Sequence, residues 1–309
     1  VSGVQYRGTY HETDGLTLDL PLTIMADPTV SALPIWITDG TRHIRVHHDL
    51  LVKGIHFDGR NRAWYAIRSY ASKPNRIVVE GCEIESFLKD GVTDNDSPVD
   101  TCIIRNTIFH DIGEVAIEFR TDDMCRNLIV ENCTFYRIGE RAVHIVENHI
   151  PSTARITHVT IHDSHGGVYL NQVSDAIVKN SIITRERTYA VRSINPAKLV
   201  FIGTFRNPID FSGQPGGTGC FNADPLYYDP DGGDFTLLPD SPCLTSGEKG
   251  EPLGDLRWTG QATVSAGRRV AMVVWGRAMG VLVLVVGAGY ASVIYIRARV
   301  QKQSEQNYL

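Results

Sequence analysis

The chain has 309 residues, of which 42% are apolar and 21% charged, the balance of a folded protein rather than a disordered one. Residues 1–260 hold 24 basic and 34 acidic residues, a net charge of −10, whereas six of the seven charged residues that follow are basic. An acidic domain without a basic stripe excludes nucleic acid as a partner. Since no CxxC pair, Walker A loop or dinucleotide fingerprint occurs, no cofactor is predicted.

A five-residue pattern recurs six times between residues 51 and 181. It consists of two apolar or β-branched residues, any residue, then Gly, Asn or Asp, and usually a small residue. Repetition of this kind predicts a solenoid, in which each coil buries its inward residues by stacking on the next. The fourth positions, spaced by 27, 25, 26, 31 and 17 residues, are Gly54, Gly81, Asn106, Asn132, Asp163 and Asn180.

A second apolar strand follows most copies about ten residues later: AIR at 66–68, GVT at 91–93, AIE at 116–118, AVH at 142–144 and AVR at 190–192. Two short strands per period predict an all-β fold, a right-handed parallel β-helix. Stacking then places Ile104, Val130 and Val178 on one parallel sheet, and Asn106 beside Asn132 in an amide ladder. The absence of LxxLxL spacing and of a helical period excludes leucine-rich and helical repeats.

The outward side of the second strands carries the candidate catalytic residues. In enzymes of this fold a groove follows the stacked strands, and a polysaccharide lyase needs a base and a cation that neutralises the uronate carboxylate. Glu118, Arg120 and His144 are the candidates for these roles. A solvent-facing row is polar on any sheet, however, and the acidic domain and the lack of Lys in the row disfavour a lyase. The rest of the row is Arg68, Thr93 and Arg192.

Other polar clusters are interpreted as turns or surface groups, and no metal site is predicted. The acidic clusters lack EF-hand spacing, and the histidine clusters lack a third ligand. The acidic clusters are Asp90, Asp94 and Asp96, and Asp229, Asp231 and Asp234. The histidine clusters are His47 and His48, and His158, His162 and His165.

Cysteine positions constrain the disulfides. Cys82 and Cys133 are equivalent residues two coils apart, about 9–10 Å, beyond the roughly 7 Å Cα separation that a disulfide allows. Both are predicted to be free core thiols. Two further pairs stay open as possible bridges, Cys102 with Cys125 and Cys220 with Cys243.

The two ends resemble a known family. Arg7–Ala26, RGTYHETDGLTLDLPLTIMA, resembles the opening coil of bacterial right-handed parallel β-helix proteins of the pectate-lyase-like, carbohydrate-binding and sugar-hydrolase type. Asn222–Leu244 with Gly254–Trp258, GDLRW, resembles the closing segment of such proteins anchored to the cell envelope. The resemblance covers roughly residues 5–258 and implies the fold but no single activity. It predicts a β-helix domain over 1–258 that ends in a closing segment, 220–258.

A membrane anchor is predicted after this domain. Residues 278–296 carry no charge, and the apolar run extends back to 270 if Arg277 is tolerated, which is long enough to cross about 30 Å of hydrocarbon as a helix. The sequence therefore predicts a linker over 259–269, a transmembrane helix over 270–296 and a polar tail over 297–309. The flanking charges favour a cytoplasmic C-terminus, with the β-helix in the periplasm or on the cell surface.

Small residues on this helix predict close packing against other transmembrane helices. Gly276 and Gly280 form a GxxxG pair, and Gly287 and Ala291 form a second small-residue pair. Arg277 either reaches the interface or pairs with an acidic group of a partner.

Sequence alone thus favours a membrane-anchored binding or scaffold protein, an accessory subunit of a membrane complex, whose partners are the bilayer and other transmembrane helices. The alternative is a surface polysaccharide lyase or related carbohydrate-active enzyme.

Overall fold

Successive repeats of the chain lie side by side and in parallel, one coil on the next. The computed structural model describes residues 2–6, 8–13, 15–41, 44–94, 97–120, 125–145, 152–260 and 272–274. The predicted all-β solenoid is confirmed, and the only helices among these residues are three short 3₁₀ turns, Pro242–Leu244, Glu248–Gly250 and Leu256–Trp258.

The strands are short and turn residues separate them. In chain order they are β1 (Ser2–Tyr6), β2 (Thr9–Glu12), β3 (Leu16–Leu18), β4 (Leu22–Ala26), β5 (Ile35–Thr38), β6 (Ile44–Val46), β7 (Leu50–Lys53), β8 (His56–Asp58), β9 (Tyr65–Ser69), β10 (Asn75–Glu80), β11 (Glu83–Glu85), β12 (Asp90–Asp94), β13 (Val99–Arg105), β14 (Ile108–Ile112), β15 (Val115–Phe119), β16 (Cys125–Ile138), β17 (Arg141–Ile145), β18 (Thr153–His162), β19 (Gly166–Leu170), β20 (Asp175–Thr184), β21 (Tyr189–Ser193), β22 (Lys198–Phe205), β23 (Ile209–Ser212), β24 (Phe221–Asn222), β25 (Tyr227–Asp229), β26 (Asp234–Leu237) and β27 (Met272–Val274).

Two parallel sheets form the walls of the solenoid. One has nine strands in the order β23-β21-β19-β17-β15-β12-β9-β6-β3, and the other has sixteen, which include the first strands of each repeat. Ile104 pairs with Val130, Val130 with Ile156, and Ile156 with Val178, so the predicted register is confirmed. Inward Val, Ile and Phe side chains fill the interior, where the buried rings of Phe109 and Phe135 stack with centroids 5.1 Å apart.

An asparagine ladder follows one corner of the coils. Asn132 Nδ2 donates to Asn106 Oδ1 over 2.7 Å, as predicted, and both residues adopt positive φ, which Asn tolerates. The assignment of Asp163 to this corner is wrong. Thr157 pairs with Glu131 on one side and Lys179 on the other, so His158 follows Asn132 and precedes Asn180. The sequence THV at 157–159 conceals this copy, because histidine replaces the expected Asn.

A second corner carries charged residues at positive φ. Asp163 lies here, directly after His162, which pairs through the ladder with Tyr136 and Thr184. Arg137 donates to both carboxylate oxygens of Asp111 on the preceding coil over 2.7 Å. At this corner an ion pair between neighbouring coils therefore takes the place of the amide ladder. Its residues are Ser86, Asp111, Arg137, Asp163, Arg185 and Arg206.

The closing segment folds back over the sixteen-stranded sheet. Buried Asp255 accepts a hydrogen bond from Thr134 Oγ1 over 2.7 Å and binds the Arg257 guanidinium. Arg257 also donates to the carbonyls of Asn106 and Thr107, and the Leu256 N–H donates to Asn132 Oδ1. The GDLRW motif thus satisfies polar groups at the asparagine ladder.

All six cysteines are free thiols. The prediction for Cys82 and Cys133 is confirmed, since both are buried in the core. The two open pairs, Cys102 with Cys125 and Cys220 with Cys243, form no bridge either.

The predicted membrane segment falls largely outside the described residues. Within it only Met272–Val274 is described, and these residues form β27, antiparallel to β1, which corrects the predicted helix at these three positions. The helix-packing residues Gly276, Arg277, Gly280, Gly287 and Ala291 lie outside the description. Among the described residues, no helix has the length and apolar character that a membrane span requires.

The asparagine ladder supports a first prediction. Gly81 lies one coil from Asn106, has φ of +62°, and an added Cβ there meets no atom within 4 Å. Gly81→Asn is expected to raise the free energy of unfolding by about 0.5–1 kcal/mol, because the new amide extends the ladder and the unfolded chain loses freedom. Urea unfolding measures the change. Gly81→Ala is the control, and a stabilisation by alanine of the same size would contradict the role of the amide.

Candidate active site

The candidate residues lie on the outer face of the nine-stranded sheet. The strand pairings align Arg68 with Thr93, Thr93 with Glu118, and Glu118 with His144, which reproduces the row expected from the sequence. The ladder continues through Tyr169 to Arg192. The expectation of a solvent-facing row is wrong for the central residues, because Thr93, Glu118 and His144 are buried.

Glu118 is the centre of a short ion-pair network. Its Oε1 lies 3.0 Å from His144 Nδ1 and 2.6 Å from Arg120 Nε, and the residue is only 2% exposed. Burial alone raises the pKa of a carboxyl group, but the hydrogen bonds from His144 and Arg120 outweigh it and keep the pKa of Glu118 below its ordinary value. Glu118 is therefore an ionised acceptor.

Asp90 has the opposite character. It is 4% exposed, and burial, followed by the nearby charge of Glu118, raises the pKa of Asp90 to about 8. Its Oδ1 accepts the Val115 N–H over 3.2 Å. Asp90 thus holds its proton at neutral pH. Two neighbouring carboxyl groups with opposed pKa shifts are the arrangement from which acid and base roles arise.

His144 is oriented by Glu118 and has one ring nitrogen to spare. Since ionised Glu118 only accepts hydrogen bonds, Nδ1 carries the proton that points to it, and Nε2 is the acceptor nitrogen. Nε2 is buried and has no hydrogen-bond partner among the described residues. Tyr169 stacks on the ring with centroids 5.0 Å apart and an interplanar angle of 18°. A carboxylate-oriented imidazole with an unpartnered second nitrogen has the orientation of a general base.

Arginines and tyrosines surround this centre. The guanidinium carbon of Arg192 lies 5.1 Å from the centroid of the Tyr169 ring, and that of Arg141 lies 5.5 Å from it on the other side of the row. Arg141 Nε donates to Tyr189 OH over 2.8 Å across Gly166, which has no side chain between them. Arg68 lies over Tyr65, 4.4 Å from the ring centroid. Four arginines therefore line the outer face, of which Arg120 pairs with Glu118 and Arg141 with Glu140.

Sequence reasoning found the row but missed four residues on or beside it. Asp90 and Asp94 were expected in a turn, and they lie in β12 instead. Asp90 is the first residue of β12 and pairs with Tyr65, the first residue of β9. Its position relative to the repeat was therefore the signal that could have placed it in a strand. Tyr169 was missed because the copy around Asp163 was misaligned, and Arg141 was missed because it precedes the AVH motif at 142–144. Asp229, Asp231 and Asp234 do lie in or beside the turn between β25 and β26, as predicted.

Comparison with protein families gives one match. A family model described as a right handed beta helix region matches residues 93–203. The matched region contains Glu118, Arg120, His144, Tyr169 and Arg192 but begins after Asp90. A comparison with curated proteins gives no match.

Proposed function

We propose that this protein is a polysaccharide lyase that cleaves uronate chains on the outer face of the nine-stranded sheet. The observation that carries the proposal is the opposed protonation of Asp90 and Glu118 beside a histidine with an unpartnered nitrogen. The alternative from the sequence, a carbohydrate-active enzyme, thus replaces the scaffold as the preferred function. The preference for a scaffold rested on the small residues of the predicted helix, which lie outside the described residues, and on the lack of a catalytic set.

The groups present account for both proton transfers of a β-elimination. His144 Nε2 takes the proton from the carbon next to the uronate carboxylate, and Glu118 stabilises the resulting imidazolium. The electron pair of the broken C–H bond forms a carbon–carbon double bond, and the neighbouring bond to the glycosidic oxygen breaks. Asp90 gives its proton to that leaving oxygen.

The arginines of the outer face support an anionic substrate. Arg120 and Arg192 are exposed, and Arg68 and Arg141 are partly exposed, at coils spaced along the solenoid. Arginine binds carboxylates through paired N–H groups, and neutralising the uronate carboxylate makes the adjacent proton more acidic. These arginines answer the objection that the domain, at a net charge of −10, repels acidic polymers. Neighbouring strands of the row are about 4.8 Å apart, so the row can follow an extended polysaccharide chain.

Membrane attachment stays a prediction from the uncharged run 278–296, as does a location outside the cytoplasm. Neither the anchor nor packing of Gly276, Gly280, Gly287 and Ala291 against partner helices conflicts with the proposed chemistry. An anchored lyase would act on polysaccharide at the cell envelope, and Arg277 would then serve only the membrane boundary.

The full chain is to be incubated with polygalacturonate and with alginate, and the ultraviolet absorbance of the unsaturated product recorded. Glu118→Gln is expected to lower kcat at least about a hundredfold, because His144 loses the carboxylate that orients it and stabilises its charge. The matched control is Glu131→Gln, an exposed glutamate of β16 on the sixteen-stranded sheet. This variant is expected to retain native turnover.

The thermal unfolding midpoint of each variant shows that it is folded. Absence of cleavage of both polymers by the native chain, or equal turnover in the two glutamine variants, would rule out the proposed lyase.

A further inference from the structure

A second cluster of ionisable groups lies on the outer face of the sixteen-stranded sheet, away from the candidate active site. Three neighbouring strands supply it: β8 carries His56, β11 carries Glu83 and Glu85, and β14 carries His110 and Asp111. We call these five residues the histidine–carboxylate cluster. Sequence analysis did not single it out, because its members come from coils about 25 residues apart.

Three atoms of this cluster lie close enough together to act as ligands of one metal ion. His110 Nδ1 lies 2.7 Å from Asp111 Oδ2 and 3.7 Å from Glu85 Oε2, and one donor atom from each residue lies within 4.8 Å of the others. In a tetrahedral site with bonds of about 2.0–2.1 Å, ligand atoms lie about 3.3 Å apart. The observed separations bracket that value, so small side-chain movements complete the geometry.

Each of the three donors has an outer partner that fixes its orientation. Glu83 Oε1 lies 3.1 Å from His110 Nε2 and keeps a proton on that nitrogen. His110 Nδ1 shares its own proton with Asp111 Oδ2, and a bound metal ion would displace that proton. His56 Nε2 lies 2.6 Å from Glu85 Oε1, the oxygen turned away from His110. Arg137 binds Asp111. Partners of this kind, a carboxylate behind a histidine above all, are typical of protein metal sites.

Charge and space also fit a divalent cation. The three carboxylates and Arg137 carry a net charge of −2, which protons on the two imidazoles offset until a cation displaces them. The His110 side chain is only 8% exposed, whereas Glu85 and Asp111 remain open to solvent at 24% and 37%. Solvent therefore reaches both carboxylates and can supply a water ligand.

We propose that Glu85, His110 and Asp111 bind a divalent transition-metal ion of the zinc type. A mixed set of one imidazole nitrogen and two carboxylate oxygens suits Zn²⁺ and Co²⁺, whereas Ca²⁺ and Mg²⁺ favour oxygen ligands alone. The site lies on a different sheet from Asp90, Glu118 and His144 and does not depend on the proposed lyase activity.

Titration with Co²⁺ tests the proposal. The full chain, stripped with a chelator, is expected to bind one Co²⁺ per chain with visible absorption bands, and Zn²⁺ is expected to displace it. Glu85→Gln removes a ligand but keeps the shape of the side chain, and is expected to weaken binding at least tenfold. The matched control is Glu80→Gln on β10, since Glu80 pairs with Lys53 and Arg105 instead. Its affinity is expected to equal that of the native protein.

His56→Gln provides a second test if Glu85→Gln does not fold. It removes only the outer partner of Glu85 and is expected to weaken Co²⁺ binding about tenfold. Non-saturating uptake by the native chain, or native affinity in a folded Glu85→Gln or His56→Gln variant, would overturn the site.

Discussion

Replacing Arg257 with alanine is expected to lower the free energy of unfolding by about 3–5 kcal/mol. The guanidinium neutralises Asp255, whose side chain is fully buried beneath it. Removing it leaves the carboxylate with the hydroxyl of Thr134 and the backbone N–H of residue 257, but without a counter-charge. Two carbonyls at the asparagine ladder, those of Asn106 and Thr107, lose a donor as well. An uncompensated buried charge costs far more than the pair itself contributes.

Guanidinium chloride unfolding of the full chain measures this loss. Arg105→Ala is the matched control, because Arg105 makes a surface ion pair with Glu80 and its removal is expected to cost under about 1 kcal/mol. Equal losses in the two variants would show that the closing segment contributes no more than an ordinary surface contact.

Asp90→Asn is expected to stabilise the protein at alkaline pH while abolishing turnover. The unfolded chain ionises Asp90 above about pH 3.8, whereas the folded protein holds the proton up to about pH 8. Between these values the folded state binds the extra proton, so Asp90 makes folding progressively less favourable as pH rises, by about 1.4 kcal/mol per unit. An asparagine stays neutral and still accepts the Val115 N–H. The gain above pH 8 is expected to be on the order of 5 kcal/mol.

The difference in unfolding free energy between the variant and the native protein is to be measured from pH 5 to 9. It is expected to grow with pH and to level off above about 8. Asp231→Asn, at an exposed turn residue, is the control and is expected to follow the native curve. Parallel curves for Asp90→Asn and native protein would contradict the raised pKa, and with it the role of Asp90 as the acid. A residue that destabilises the fold yet is needed for turnover has the character of a functional group.

The regular part of the fold was predictable because it repeats. Ile104, Val130 and Asn132 follow from the period alone, since stacked coils must align equivalent residues. The predicted register was wrong at Asp163, where two matches to the repeat pattern overlap. Only the pairing with neighbouring coils identifies His158 as the residue equivalent to Asn132. The closing segment lies outside the repeat, so the period does not predict its structure. Its resemblance to known closing segments identified GDLRW but not the contact of Arg257 with the asparagine ladder.

The candidate site was predictable to the extent that it follows the same register. Glu118 and His144 were placed by strand phase, but their burial and ionisation depend on neighbours from several coils. Asp90 was misassigned because acidic residues near Gly are typical of turns. The histidine–carboxylate cluster could not be predicted from the sequence either, because its residues lie on strands that are adjacent in space but about 25 residues apart in the chain.

The return of the closing segment has a consequence for the order of folding. Contacts between neighbouring coils join residues about 25 positions apart, as in the pair of Lys89 and Glu114, so coils can add one after another while the chain emerges. The bonds of Asp255 to Thr134 and of Arg257 to Asn106 span 121 and 151 positions and require coils that already exist. The closing segment therefore docks last. We expect its contacts to slow the unfolding of the finished solenoid without changing the rate at which coils form.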